Sequence, residues 1–296
     1  MRKLAILLIL AVCLTASASY AQVRVLFSHQ SVGRYIVAEP GHFDDQQGLH
    51  ASQDIRGELD AEVRFWDHDY YNYSNGALID ANGDLFTNSG FGSHRGSNGA
   101  AGDVSLNHIL GEAFSDSPDA DGQAFRDSVL SRFDIFIVKP GYRDMHEMDD
   151  LEGYKAMLND VSDWWEINNP GKILAVCTSS PLRHYNDYVG SPGFSSAADA
   201  EAKALAYREL DIWLQNVWVC RSPYNRYFST WWMCVNHTGT SEELYFTKDA
   251  YKTSDHHLNS TGSNAVQAAL ITFINELVAD FEDGLPDRRR MRDLND

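Results

Sequence analysis

Apolar residues in this chain fall into short runs that alternate with segments of helical spacing. Val23–Phe27, Glu62–Trp66, Ile135–Val138 and Ile173–Cys177 have the length of buried strands, and most of their side chains are β-branched, aliphatic or aromatic. The last run stops at Thr178-Ser179-Ser180-Pro181. Between the third and fourth runs, Tyr154, Met157, Leu158, Val161 and Trp165 recur near one face, which predicts a helix over Leu151–Ile167 ended by Asn169-Pro170-Gly171. A second helix is predicted over Ala197–Leu214. A third, over Gly262–Phe281, carries Val266, Leu270, Phe273, Ile274 and Leu277 at helical spacing. Strands separated by helices of this length predict an α/β fold: a mainly parallel sheet covered on both faces, as three α/β/α layers. Asn82-Gly83 within Leu78–Phe86 is a hairpin signal. Residues 67–122 are rich in Gly, Asn, Asp and Ser and are expected to form a long excursion over the sheet edge.

The ends of the chain differ from this pattern. Arg2 and Lys3 precede the apolar run Leu4–Leu14, which is too short to span a bilayer, and small residues follow up to Ser19-Tyr20-Ala21. That is the form of a signal peptide over residues 1–21, cleaved before Gln22, so an exported protein without a later membrane insertion is expected. One domain over residues 22–282 and a polar tail over 283–296 then remain. Losing Arg2 and Lys3 with the leader takes the formal charge from −18 to −20. Such a surface repels phosphate backbones, so nucleic acid is a poor partner. Of the cysteines, Cys177 ends an apolar strand, while Cys220 and Cys234 are close enough in sequence to close a short loop in an oxidising compartment.

Parallel sheets place their sites in the loops after the carboxyl ends of the strands, and two such segments carry chemistry. The first strand runs into Ser28-His29-Gln30-Ser31-Val32-Gly33, which puts Ser31 at the expected start of a helix. There it can act as a nucleophile with backbone N–H groups near a developing oxyanion, or simply cap the helix. Ser28 is the rival serine. Thr253-Ser254-Asp255-His256-His257-Leu258-Asn259 precedes the last helix and supplies a base, His257 or His256, and an acid, Asp255, which is itself also a plausible cap. Asp67-His68-Asp69 and His146-Glu147 contain metal-ligand types but lack His-x-x-x-His spacing, and acidic surface or substrate-lining roles explain them more simply. Trp164-Trp165 and Trp231-Trp232 read first as packing residues.

In these segments the chain resembles the SGNH/GDSL hydrolases. His29-Gln30-Ser31 stands where that family has Gly-Asp-Ser, and His257-Leu258-Asn259 before an apolar helix is similar to its last block. The closer resemblance is to a bacterial branch with a His-x-Ser-Val-Gly start, which also has a central stretch similar to Asp67-His68-Asp69-Tyr70-Tyr71-Asn72. The resemblance implies a flavodoxin-like central sheet. It implies an esterase with Ser31 as nucleophile, His257 as base and Asp255 as acid, without a cofactor or metal, acting on a small-molecule or carbohydrate ester. Two departures are visible. Asp255 lies two residues before His257 where the family spaces them by three, and Gly141-Tyr142-Arg143-Asp144 carries Arg143 where the family has an oxyanion-hole asparagine. Gly76 stands for the second-block glycine. A catalytically altered, glycan-binding domain of the same fold and a metal-dependent phosphoesterase are the alternative readings.

Overall fold

The computed structural model describes residues 22–29, 32–38, 51–69, 78–79, 85–86, 110–118, 120–183, 194–236, 246–253 and 257–284. In chain order the elements are β1 (Val23–His29), α1 (Val32–Val37), β2 (Val63–Asp69), β3 (Leu78–Ile79), β4 (Leu85–Phe86), α2 (Ala120–Arg132) and β5 (Ile135–Lys139). They continue with α3 (Leu151–Asn168), β6 (Ile173–Cys177), α4 (Ala197–Asn216), β7 (Asn225–Phe228), α5 (Thr230–Cys234) and α6 (Ser260–Glu282). Five strands form one parallel sheet in the order β2-β1-β5-β6-β7. With the small β3–β4 hairpin set aside, that is the doubly wound order 2-1-3-4-5, which reverses direction between its first and third strands.

Alternation along the strands divides the core in two. Val25, Phe27, Ile135, Ile137, Ile173 and Ala175 face one side and meet α1 and α6 through Ile36, Val266, Leu270, Phe273 and Ile274. Leu26, Phe136, Val138, Leu174 and Val176 face the other, against α2, α3 and α4, where Phe125, Leu158, Trp165, Tyr207 and Leu214 are buried. Full burial of each large apolar side chain contributes about 1.5–3 kcal/mol, so the helical stripes read from the sequence dock the helices. Each long helix also has an identifiable start. Asp150 accepts from the Gly153 N–H at 3.0 Å, Ser196 from the Asp199 N–H at 3.1 Å and Asn259 from the Gly262 N–H at 3.0 Å. Among the described residues no helix is long and apolar enough to cross a membrane.

The predicted hairpin forms, with Leu78 opposite Phe86 and Ile79 opposite Leu85; Asn82-Gly83 itself lies outside the described residues. Two elements escape the hydrophobic pattern. Helix α2 has a sparse apolar stripe, and β7 is a polar edge strand whose side chains are buried through pairing. Asn225 Nδ2 donates to Ser162 Oγ at 2.7 Å and to the Trp218 carbonyl at 3.0 Å. The Arg226 guanidinium donates to Asp280 on α6 at 3.1 Å and to the Pro223 and Asn225 carbonyls at 2.7 and 2.8 Å. The suggested Cys220–Cys234 bridge is not made. Cys177, Cys220 and Cys234 are free thiols, because Cys234 points into the core while Cys220 is exposed on the turn after α4.

Candidate functional site

In doubly wound sheets the reversal of winding opens a crevice at the carboxyl ends of the strands, and in this strand order the reversal falls between β1 and β5. The last residues of those strands, His29 and Lys139, are partners in register. After β1 the chain passes through Gln30 and Ser31 into α1. After β5 it passes through Pro140 and Gly141 into a 3-10 segment, Tyr142–Asp150. Ser31, Gly76, Asp255 and His256 lie outside the described residues, and so do the side chains of Tyr142 and Arg143. Ser28, the rival to Ser31, is a fully buried strand residue within β1.

His257 is described, and its surroundings explain the block around it. Leu258 is buried in the core, pairs with Lys252 in an isolated bridge and is followed by the cap Asn259. Asn259 also donates through Nδ2 to the Ala250 carbonyl at 2.8 Å and the Lys252 carbonyl at 3.2 Å. Gly262 leaves room for Tyr251, since a Cβ there would lie 3.0 Å from Tyr251 Cβ and Cγ. The Thr253 hydroxyl donates to the His257 carbonyl at 2.8 Å. Held this way, the half-buried His257 ring meets the ring of Tyr35 edge-on, 4.9 Å between centroids at 79°. Tyr35 is a buried residue of α1, the helix that begins immediately after Ser31. The last block of the chain therefore packs on the first.

Beneath the crevice is a row of polar groups that the sequence reading passed over. His29 Nε2 is hydrogen-bonded to Asp67 Oδ1 on β2, and both side chains are buried. Lys139 is only 2% exposed. Its ammonium donates to the Pro140 carbonyl at 3.3 Å, and burial pushes its pKa down to about 8 against the opposing pull of Cys177, Cys234 and Asp144. Burial pushes both thiols up to about 12, with Lys139 drawing them the other way. A lysine ending an otherwise apolar strand was the visible signal for this cation. Asp67 was visible only as a metal-ligand type and His29 only as a replaced glycine.

The neighbouring loops are fixed from the opposite face. Asp144, fully buried, accepts the Tyr154 hydroxyl and so anchors the 3-10 segment to α3; burial, followed by the nearby Asp144 charge, holds that phenol well above its ordinary pKa. Asp211 on α4 accepts the Thr178 hydroxyl at 2.9 Å, the Ser229 hydroxyl at 2.7 Å and the Tyr227 hydroxyl, which ties the segments after β6 and β7 to one carboxylate. Of the tryptophan pairs, Trp165 and Trp231 are core residues, whereas Trp232 on α5 is 41% exposed. His146 packs edge-on against Phe194 at 4.5 Å.

No protein-family model matches the chain, and no curated protein matches it significantly. Several solved structures align with it over most of its length at low identity. One is a provisionally named platelet activating factor from Streptococcus pneumonia, with 12% identity and a TM-score of 0.41, covering 92% of this chain and 99% of the other. Another is a carbohydrate acetylesterase family member from Sinorhizobium meliloti, at 13% and 0.39, covering 87% and 100%. A third is an inhibitor-bound aryl esterase from M. smegmatis, at 13% and 0.32, covering 86% and 99%. At such identities and scores these likenesses carry no weight for the chemistry.

Among the described groups, the ends of β1 and β5 put a buried imidazole–carboxylate pair and an ammonium side by side, while the His257 imidazole packs on α1. Imidazole, carboxylate and ammonium are the group types that transfer protons and stabilise negative charge in hydrolytic sites.

Proposed function

We propose that the chain is an exported serine hydrolase that cleaves ester bonds by acyl transfer to water. Ser31 Oγ attacks the ester carbonyl while His257 takes its proton, and Asp255 holds the imidazole. His257 then returns the proton to the departing alcohol. Water, deprotonated by His257 in turn, attacks the acyl-serine and releases the acid and Ser31. The Ser31 N–H, with Gly76 and Arg143, carries the charge of the tetrahedral oxyanion. The reaction needs no metal or cofactor. The observation that supports this reading best is the contact of the His257 ring with Tyr35, because Tyr35 belongs to the helix that Ser31 leads into. A carbohydrate O-acyl ester is the favoured substrate class. The exposed Trp232, on the helix following the carboxyl end of β7, is an aromatic surface of the kind a sugar ring stacks on.

The test is labelling by a serine-directed fluorophosphonate, run beside hydrolysis of short-chain nitrophenyl esters and acetylated glycans. Labelling and hydrolysis by the native protein, both abolished in Ser31→Ala and reduced at least 100-fold in His257→Ala, are expected. A folded native protein that neither takes the label nor cleaves any of these esters overturns the reading.

A further inference from the structure

The Asp67–His29 pair has no part in the reaction as written, yet His29 ends β1 two residues before the proposed nucleophile in sequence. Asp67 sits opposite Phe27 in the β1–β2 register, so its side chain emerges on the same face as Phe27 and His29. The His29 side chain is fully buried and that of Asp67 is 9% exposed. An imidazole whose Nε2 donates to a carboxylate has a proton there, and in the neutral ring Nδ1 is then an acceptor. In this protein Nδ1 is buried and has no hydrogen-bond partner among the described residues.

The direction of that nitrogen is given by α1. A Cβ added to Gly33 would fall 2.4 Å from His29 Cβ and Cγ and 2.5 Å from Nδ1. The first turn of α1 therefore rests on the imidazole face, and only glycine allows the approach. Ser31 is joined by covalent geometry to both contact points, two residues after His29 and two before Gly33.

We propose that Asp67 and His29 are a positioning pair for the nucleophile segment. Asp67 fixes the ring, the ring is the seat of α1 at Gly33, and Nδ1 is an acceptor held ready for the N–H and O–H groups of the turn when an ester is bound. The inference rests on the assignment of Ser31 as nucleophile and adds to it the residues that set the serine's height and direction.

Paired amide substitutions separate orientation from packing. His29→Asn keeps a polar atom near the Nδ1 position but cannot reach Asp67, whereas His29→Gln reaches toward Asp67 and has no atom at Nδ1. The readouts are the fluorophosphonate labelling rate of Ser31, kcat and KM for a short-chain ester, and the melting midpoint, with rates taken far below melting. Expected results are a labelling rate and kcat at least 30-fold lower in His29→Ala and about 10-fold lower in Asp67→Asn, with KM changed less than 2-fold. His29→Asn should recover at least 5-fold over His29→Ala, and His29→Gln should not. If Ser31 labels in the native protein and all four variants label within 2-fold of it, whatever their melting midpoints, the pair is structural only and this inference alone is overturned. A loss shared equally by the four variants also overturns it, since packing alone would then account for the effect. If the native protein takes no label, the Ser31 assignment falls and the positioning role falls with it.

Discussion

Replacing Asp211 by alanine removes the single oxygen on which three buried hydroxyls converge. Oδ1 accepts from Thr178 at 2.9 Å, from Ser229 at 2.7 Å and from Tyr227. Each donor left without a partner in a dry site costs about 1–3 kcal/mol. Some of that loss is recoverable locally. Thr178 Oγ1 and the Tyr227 hydroxyl are 3.4 Å apart and can pair with each other, whereas the Ser229 hydroxyl, which accepts the Trp232 N–H at 2.9 Å, loses the acceptor for its own hydrogen. Removing the carboxylate also removes its own burial cost, which is what pushes its pKa upward against the three hydroxyls and Arg208. One or two unsatisfied donors offset by that relief leave a net loss of about 2–4 kcal/mol. For a domain of this size that is a fall in melting midpoint of roughly 5–12 °C. Asp211→Asn keeps Oδ1 and should lose only about 1 kcal/mol. Urea unfolding at pH 7 measures both. The pH dependence has a definite sign. A carboxyl raised in the folded state binds its proton more tightly there than in the unfolded chain. Native stability relative to Asp211→Asn should therefore be greatest below the ordinary aspartate range and fall as pH rises through the interval above it. An alanine variant within about 0.5 kcal/mol of native, or one more stable than the asparagine variant, would refute the convergence of donors as a stabilising device.

Three further outcomes follow from groups around the crevice. Gly33→Ala gains about 1 kcal/mol of helix propensity but forces a contact costing roughly 2–3 kcal/mol; urea unfolding should show a net loss of about 1–2 kcal/mol that shrinks when His29 is replaced by glycine, which removes the Cβ and ring atoms the new methyl would meet. Lys139→Met should raise stability at pH 7 by about 2 kcal/mol; because the folded-state lysine value is pushed down to about 8, native stability should climb between pH 8 and the ordinary lysine value while the variant stays flat, and parallel curves would refute this. Of Cys177, Cys220 and Cys234, only the exposed Cys220 should react promptly with a thiol reagent; the other two thiols, buried and pushed up to about 12, should appear only on unfolding, as counted by mass spectrometry.

What was legible in the sequence was whatever burial writes as periodicity. Four of the five parallel strands and the three long helices appear within a few residues of their observed ends, because alternate strand residues and helical stripes both face a core. Strand β7 was hidden because Asn225 and Arg226 are buried by pairing with Ser162 and Asp280, partners more than fifty residues away in sequence. The surroundings of His257 were legible because a cap, a core leucine and a close-packed glycine follow one another in a single short run. The Asp67–His29 pair was not, since it depends on two parallel strands meeting in one register, and local spacing carries no trace of that. Cys220 and Cys234 show the converse: nearness in sequence suggested a bridge, but one side chain faces solvent and the other the core.

Helix α6 has a consequence for how the chain can be shortened. Its first turn follows the His257 loop, and its last turn carries the Asp280 carboxylate that neutralises Arg226 on the outermost strand. At about 1.5 Å per residue, twenty-three residues make a strut of roughly 34 Å between the crevice and that strand. Trimming the chain after Gly284 leaves the strut whole. Trimming it before Asp280 strands a buried guanidinium and loosens β7, exposing a ladder of unpaired backbone groups to other chains. Insoluble product would then be expected well before any loss of the residues nearest the crevice.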